Sequence, residues 1–174
     1  MKFVSLICTV HVEHGQANAT ELHSLLERAG PEVIFLETPV ISEDDQFDIA
    51  TLENLESIAV TQYCKNKPVT LVPVDMATPD ESFFIKAKTL FRDLPRRSHE
   101  YDHLMAENNK NVKAYGFYYL NGDRHSEYQS ALHAETLRTL KRMSNGPFSE
   151  FYESWLKTKR LREEEMMSNI VRYC

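Results

Sequence analysis

Three short apolar runs alternate with segments of helical periodicity in the first half of the chain. The runs extend from Phe3 to Val10, from Val33 to Leu36 and from Val69 to Val74. Their length and their content of β-branched and aromatic residues are typical of buried strands. The segments between them, about Thr20 to Arg28 and Ile49 to Tyr63, carry apolar residues at helical spacing. We therefore predict a βαβαβ unit with parallel strands.

Helical periodicity dominates the rest of the chain. Thr78 to Glu81 has the form of a capping box with Thr78 as the N-cap, and the helix it opens is expected to end near Leu94, before Pro95. Residues 112–120 fit either a strand or a buried helix. Further helices are predicted over residues 98–108, 126–143 and 148–173. The predicted fold class is α/β, with a parallel-sheet βαβαβ N-terminal half followed by a helix-rich C-terminal half.

The composition and charge of the chain indicate which partners and which cellular compartment suit it. The 174 residues suit a single α/β domain, which we place over residues 1–174. The formal net charge of -6 argues against binding to nucleic acid, which needs a positive face. No apolar run has the length that a membrane span needs. The three cysteines have no pairable spacing, which favours a reducing compartment and a cytoplasmic protein.

Each of the three apolar runs ends at a side chain that binds metals or moves protons. These residues are His11, Glu37 and Asp75. Because parallel strands present their carboxyl ends at one edge of a sheet, we expect these side chains to lie near one another. His11 and Glu37 would then be metal ligands, and His14 could add a nitrogen from the following loop. The alternative is that polar residues merely mark where strands leave the core.

Two further features carry weaker signals. His99 to His103 matches the H-E-x-x-H motif of zinc proteases. However, it follows a proline-containing break, so the first, solvent-facing turn of a helix is the better interpretation. Arg162 shares a predicted helical face with Met166 and Ile170. It could point into the crevice at the strand ends, or it could pair with a neighbouring glutamate on its own helix.

The same residues carry a family resemblance. Thr9-Val10-His11 and the segment Pro31–Glu37 resemble the G-T-x-H and P-x-x-V-x-x-E blocks of the TraB/Tiki family. That family belongs to a superfamily with ChaN-like haem-binding lipoproteins and erythromycin esterases. Arg162 to Met166 resembles its R-x-x-x-M helix. Cys8 stands where the family prefers glycine, and a second Gly-x-x-His block does not follow. The chain is therefore either a C-terminally truncated fragment of a longer domain or a domain whose site lacks a principal ligand.

The resemblance implies a metal-dependent hydrolase of the peptidase or esterase type. His11 would bind the ion, Glu37 would bind it or act as a base, and Mn²⁺, Zn²⁺ or Co²⁺ are all compatible. Asp75 or Glu37 would move the proton, while Arg162 would orient an anionic group of a small-molecule or peptide substrate. The alternative is a non-catalytic ligand-binding or regulatory domain of the same fold. The sequence leaves the substrate and the oligomeric state open.

Overall fold

A computed structural model describes residues 4–39, 49, 54–65, 67–144 and 146–174 of the chain. Its N-terminal part is a mixed α/β arrangement and its C-terminal half consists of four long helices, which confirms the predicted division of the chain. The described elements, in chain order, are α1 (Ala19–Ala29), β1 (Val33–Pro39), α2 (Leu55–Cys64), β2 (Thr70–Asp75), α3 (Glu81–Arg97), α4 (His99–Leu120), α5 (Asp123–Met143) and α6 (Gly146–Tyr173).

The sheet of the described residues has two strands, β1 and β2, which are parallel. The prediction of a first strand is wrong for residues 4–10, which lie outside any β-ladder, and Phe3 lies outside the described residues. One reason is that the Asn121 side chain takes both backbone groups of Cys8, accepting from its N–H at 2.7 Å and donating to its carbonyl at 3.1 Å. The apolar side chains of Val4 and Leu6 are exposed rather than in a core.

Helix α2 begins later than its apolar periodicity predicts. The pattern starts at Ile49, whereas α2 itself begins at Leu55, and residues 50–53 lie outside the described residues. Asn54 and Ser57 form a capping box, in which each side chain accepts from the other residue's backbone N–H. Such a box satisfies N–H groups that an α-helix leaves unpaired at its start. This boundary places Glu56 in the first turn of the helix.

Helix α3 also differs from its predicted bounds. Asp80, rather than Thr78, is the N-cap. The helix runs through Pro95 and ends at Arg97. A proline this close to a helix end removes one hydrogen bond of the final turn and leaves the rest of the helix intact.

Segment 112–120, whose sequence fits either a strand or a buried helix, is helical and kinked. It forms the end of α4, and the kink lies at Gly116, whose φ of 52° and ψ of −131° are outside the helical region. A Cβ atom on Gly116 would lie 2.5 Å from the carbonyl oxygen of Gln16. The Gln16 N–H also donates to the carbonyl of Lys113 at 3.0 Å. The glycine therefore allows α4 and the N-terminal segment to approach closely.

A buried carboxylate ties α5 to the junction of α3 and α4. Glu135 is 2% exposed and accepts from the hydroxyl of Ser98 at 2.6 Å. Arg138 and Arg142 donate to the same carboxylate at 2.5 and 2.8 Å. Because Ser98 is also the N-cap of α4, this network fixes the start of that helix. The hydrogen bond from Ser98 and the two arginines lower the pKa of Glu135.

Helix α6 returns to the sheet and packs against β2. The Asn169 side-chain amide donates to the carbonyl of Val74 at 2.8 Å. The ring of Tyr173 meets that of Phe35 edge to face, with centroids 5.5 Å apart. These contacts hold α6 over the carboxyl end of β2. No helix in the described part of the chain is long and apolar enough to cross a membrane.

Candidate functional site

Arg162 on α6 joins the ends of the two strands. Its Nη2 donates to Glu37 Oε1 at 2.8 Å and also to Asp75 Oδ2. Its Nε donates to Asp75 Oδ1 at 3.2 Å. The parallel pairing of the strands, which sets Pro39 opposite Asp75, brings the two carboxylates to the same edge. Three of the five guanidinium N–H groups are used in this way, and the two on Nη1 take no part in these contacts.

The cluster is anchored on its buried member. Asp75 is 5% exposed and also accepts from the backbone N–H of Met76 at 2.8 Å. The hydrogen bond to Asp75 and the charge of Glu37 raise the pKa of Arg162 above its usual value. Two carboxylates and one guanidinium give this group a net negative charge.

His11 forms a second pair beside this cluster. Its Nδ1 lies 3.0 Å from Glu56 Oε1, and the hydroxyl of Thr9 donates to the same oxygen at 2.7 Å. The hydrogen bond to Glu56 raises the pKa of His11, and the charge of Glu37 raises it further, whereas partial burial and Arg162 lower it. Burial alone would raise the pKa of Glu56, but the hydrogen bonds from His11 and Thr9 bring it below its usual value.

His11 is held in position by the first turn of α2, whereas the sequence predicted that it would follow a strand. The Leu55 N–H donates to the backbone carbonyl of His11 at 3.1 Å, next to the side-chain contact with Glu56. The His11 backbone and one imidazole nitrogen are therefore both held by α2. The side chain itself is 76% exposed, so the ring is available to a ligand.

The structure brings together four of the residues selected from the sequence and separates the fifth. Glu37, Asp75 and Arg162 form one contact group, and His11 lies within electrostatic reach of it. His14 lies apart, where its Nε2 is 3.1 Å from the carbonyl of Asn109 on α4.

Sequence reasoning missed Glu56 and left the partner of Arg162 open. The only local signal for Glu56 was the N-x-x-S spacing of Asn54 and Ser57, which marks a helix start and places the glutamate in its first turn. The glutamates that follow Arg162 do not pair with it. Instead, Glu163 pairs with Lys159, and Glu164 pairs with Arg160.

The donor set does not fit the predicted metal ion. Among the described residues, no three His, Cys, Asp or Glu side chains are grouped closely enough to hold one. The guanidinium of Arg162 bridges the carboxylates of Glu37 and Asp75, and the Nδ1 of His11 is engaged by Glu56. An ion bound by His11 and Glu37 would require Arg162 to move. A Mn²⁺, Zn²⁺ or Co²⁺ site stays a prediction from the sequence.

The H-E-x-x-H stretch lies at the exposed start of α4. Ser98 caps the helix, and His99 and His103 are both exposed. The middle residue, Tyr101, is buried in the core between α3, α4 and α5. The two histidines therefore lie at the solvent-facing start of a helix, as the sequence predicted.

No protein-family model, curated protein or solved structure matches this chain. The resemblance to the TraB/Tiki family therefore stays a prediction, carried by the short blocks around His11, Glu37 and Arg162.

Proposed function

We propose that this chain is a hydrolase domain in which His11, held by Glu56, activates water for attack on an ester or amide carbonyl. The observation that carries the proposal is the contact between His11 Nδ1 and Glu56 Oε1, next to an arginine fixed by two carboxylates. A histidine oriented by a carboxylate is a recurrent arrangement for general-base catalysis.

The tautomer of His11 follows from its partner. Glu56 is an acceptor when ionised, so Nδ1 carries the proton that the carboxylate accepts. Nε2 is then the nitrogen with a lone pair, and it takes a proton from water as the water oxygen bonds to the carbonyl carbon. Glu56 stabilises the imidazolium that forms. Collapse of the tetrahedral intermediate breaks the bond to the leaving group, which receives the proton from Nε2.

Arg162 is suited to stabilise the negative oxygen of that intermediate. Glu37 and Asp75 hold its guanidinium in place, and the N–H groups of Nη1 make no hydrogen bond to the described residues. Donors that are fixed before the reaction do not have to reorganise as charge develops, which is why such groups contribute strongly to catalysis.

Hydrolysis of p-nitrophenyl butyrate by the full chain and two histidine variants tests the proposal. We expect His11→Ala to lower kcat/KM about 100-fold or more, as for loss of a general base. His99→Ala, which removes an exposed histidine outside the site, should leave kcat/KM unchanged and is the control for non-specific imidazole reactivity. Equal activity of both variants, with folding verified by circular dichroism, would exclude His11 as the base.

A second candidate is the non-catalytic ligand-binding domain. It is favoured by the internal pairing of the cluster, since Arg162 is matched by Glu37 and Asp75, and His11 by Glu56. This candidate predicts that the chain binds small molecules without hydrolysing any ester above the level of His11→Ala.

We also propose a reducing, cytoplasmic location for this protein. Cys8 and Cys64 form no disulfide with any described residue, which is the state expected of a protein kept under reducing conditions. Fractionation of the cells that express it is the direct measurement, and recovery with secreted proteins would contradict the proposal.

A further inference from the structure

A cavity of about 450 Å³ opens beside His11, between the N-terminal segment and helices α4 and α5. Its volume lies in the range of small-molecule sites. Valine and leucine side chains form its apolar part, including Val10, Val112 and Leu120. Because His11 also lines the cavity, a ligand bound there would lie next to the proposed base.

Apart from His11, whose charge is matched by Glu56, the described lining residues of this cavity carry no fixed charge. Charged residues make up 26% of the chain, yet no Asp, Glu, Lys or Arg belongs to the described residues that line it. Polar groups are nonetheless numerous, and they are amides, imidazoles and a phenol: His14, Asn108, Asn109, His125, Tyr128 and Gln129. Such a wall can hydrogen-bond a neutral polar group, but it offers no fixed opposite charge to an ion.

The histidine on α5 adds to this neutral character. Burial lowers the pKa of His125, so its ring is uncharged near neutral pH. Its Nε2 lies 3.2 Å from the amide nitrogen of Gln129, which can only donate, so Nδ1 carries the proton. Nδ1 is buried and has no hydrogen-bond partner among the described residues. An unpaired donor of this kind is costly in a protein interior.

We infer that this cavity binds a small uncharged molecule with one hydrogen-bonding group and a short apolar chain. A charged ligand would lose hydration there without gaining a counter-charge, which is unfavourable. Applied to the reaction, the inference names the substrate class as neutral esters or amides with short acyl chains, and this part rests on the proposed function.

Titration of the ¹⁵N-labelled full chain with three ligands of equal length tests the inference. The ligands are butyramide, butyrate and butylammonium, which differ in charge. Butyramide should shift the side-chain amide resonances of Asn109 and Gln129, with a Kd about tenfold lower than that of either ion. Equal binding of the ions, or butyramide shifts that bypass these amides or do not occur, would overturn the inference.

Two glutamine variants provide the matched comparison. Gln129→Glu places a carboxylate on the cavity wall and should improve butylammonium binding until the preference for butyramide is lost. Gln62→Glu makes the same change at an exposed position of α2 outside the cavity and should leave the preference intact. The same effect from both variants would contradict the assigned site.

The binding experiment is separable from the test of catalysis. Binding of butyramide by a chain that hydrolyses no ester would contradict the proposed function alone. Hydrolysis of p-nitrophenyl butyrate and of its anionic hemisuccinate counterpart with equal kcat/KM would contradict the neutral-ligand inference alone.

Discussion

Replacing Arg162 by methionine is expected to destabilise the protein by about 2–3 kcal/mol. The substitution keeps an apolar side chain of similar reach and removes the guanidinium. Asp75, which is 5% exposed, then loses two hydrogen bonds and its only cationic partner among the described residues. Glu37 loses its contact as well, but it is exposed and regains water.

The magnitude follows from the burial of the two partners. Breaking a fully buried ion pair costs about 3–5 kcal/mol, because the remaining charge is left without compensation. Arg162 is 33% exposed, so water can approach Asp75 once the guanidinium is gone, and a smaller figure applies. For a chain of this size, a loss of 2–3 kcal/mol corresponds to a decrease in Tm of roughly 5–10 °C.

Urea unfolding followed by circular dichroism measures this effect. Arg160→Met is the matched control, because Arg160 lies on the same helix and makes an exposed pair with Glu164, so its loss should cost less than about 0.5 kcal/mol. The double variant with Asp75→Asn should be more stable than the sum of the single effects predicts, by about 1 kcal/mol or more. Equal stability of Arg162→Met and Arg160→Met would refute the claim that the pairing of Arg162 with Asp75 stabilises the fold.

Three further predictions concern the fold and the titration of the site. Gly116→Ala should destabilise the protein by about 2–4 kcal/mol, since its Cβ would meet backbone atoms. Gly30→Ala, at a similar φ of 59° but with open space around the Cβ, should cost about 1 kcal/mol. Equal losses of unfolding free energy in the two variants would refute the close backbone approach as the cause. Glu135→Gln should cost about 2–3 kcal/mol by the same measurement, because the buried network loses its charge, and a change below 0.5 kcal/mol would contradict it. The contact between His11 and Glu56 raises the pKa of His11 and lowers that of Glu56. The stabilisation of the folded state by this contact is therefore complete between about pH 4.5 and 6.5. It decreases as pH rises through the folded pKa of His11, and it decreases as pH falls through the folded pKa of Glu56. Proton NMR of the His11 ring should show a pKa above 6.5 that decreases in Glu56→Gln, and an unchanged value would contradict the pairing.

The two strands and their terminal carboxylates could be predicted because their signals are local. Each of β1 and β2 contains a short apolar run that is followed by a carboxylate; Asp75 is the last residue of β2, and Glu37 lies two residues before the end of β1. The 3.6-residue period placed Arg162 on one helical face with Met166 and Ile170, but it left open whether the side chain points into the crevice or pairs with a glutamate of its own helix. The pairing of Arg162 with Asp75 could not be predicted, since the two residues are 87 positions apart in the chain.

The first apolar run failed as a strand because strand formation depends on a partner that local sequence does not specify. Residues 4–10 have the composition of a strand, but the Asn121 side chain, 113 positions away from Cys8, takes the backbone groups that a ladder would need. Glu56 was missed for a related reason: its contact with His11 spans 45 positions. Only the helix start at Asn54 could have drawn attention to it.

The pH dependence of kcat/KM for p-nitrophenyl butyrate, compared between the native chain and Glu56→Gln, tests the central claim most directly. The account predicts that activity rises as His11 loses its proton, with an apparent pKa above 6.5 in the native chain and a lower one in Glu56→Gln. The variant should also have a lower maximum, because the imidazolium loses its carboxylate. Activity that is absent, or a profile identical in the two proteins, would contradict the assignment of His11 and Glu56 as the catalytic pair.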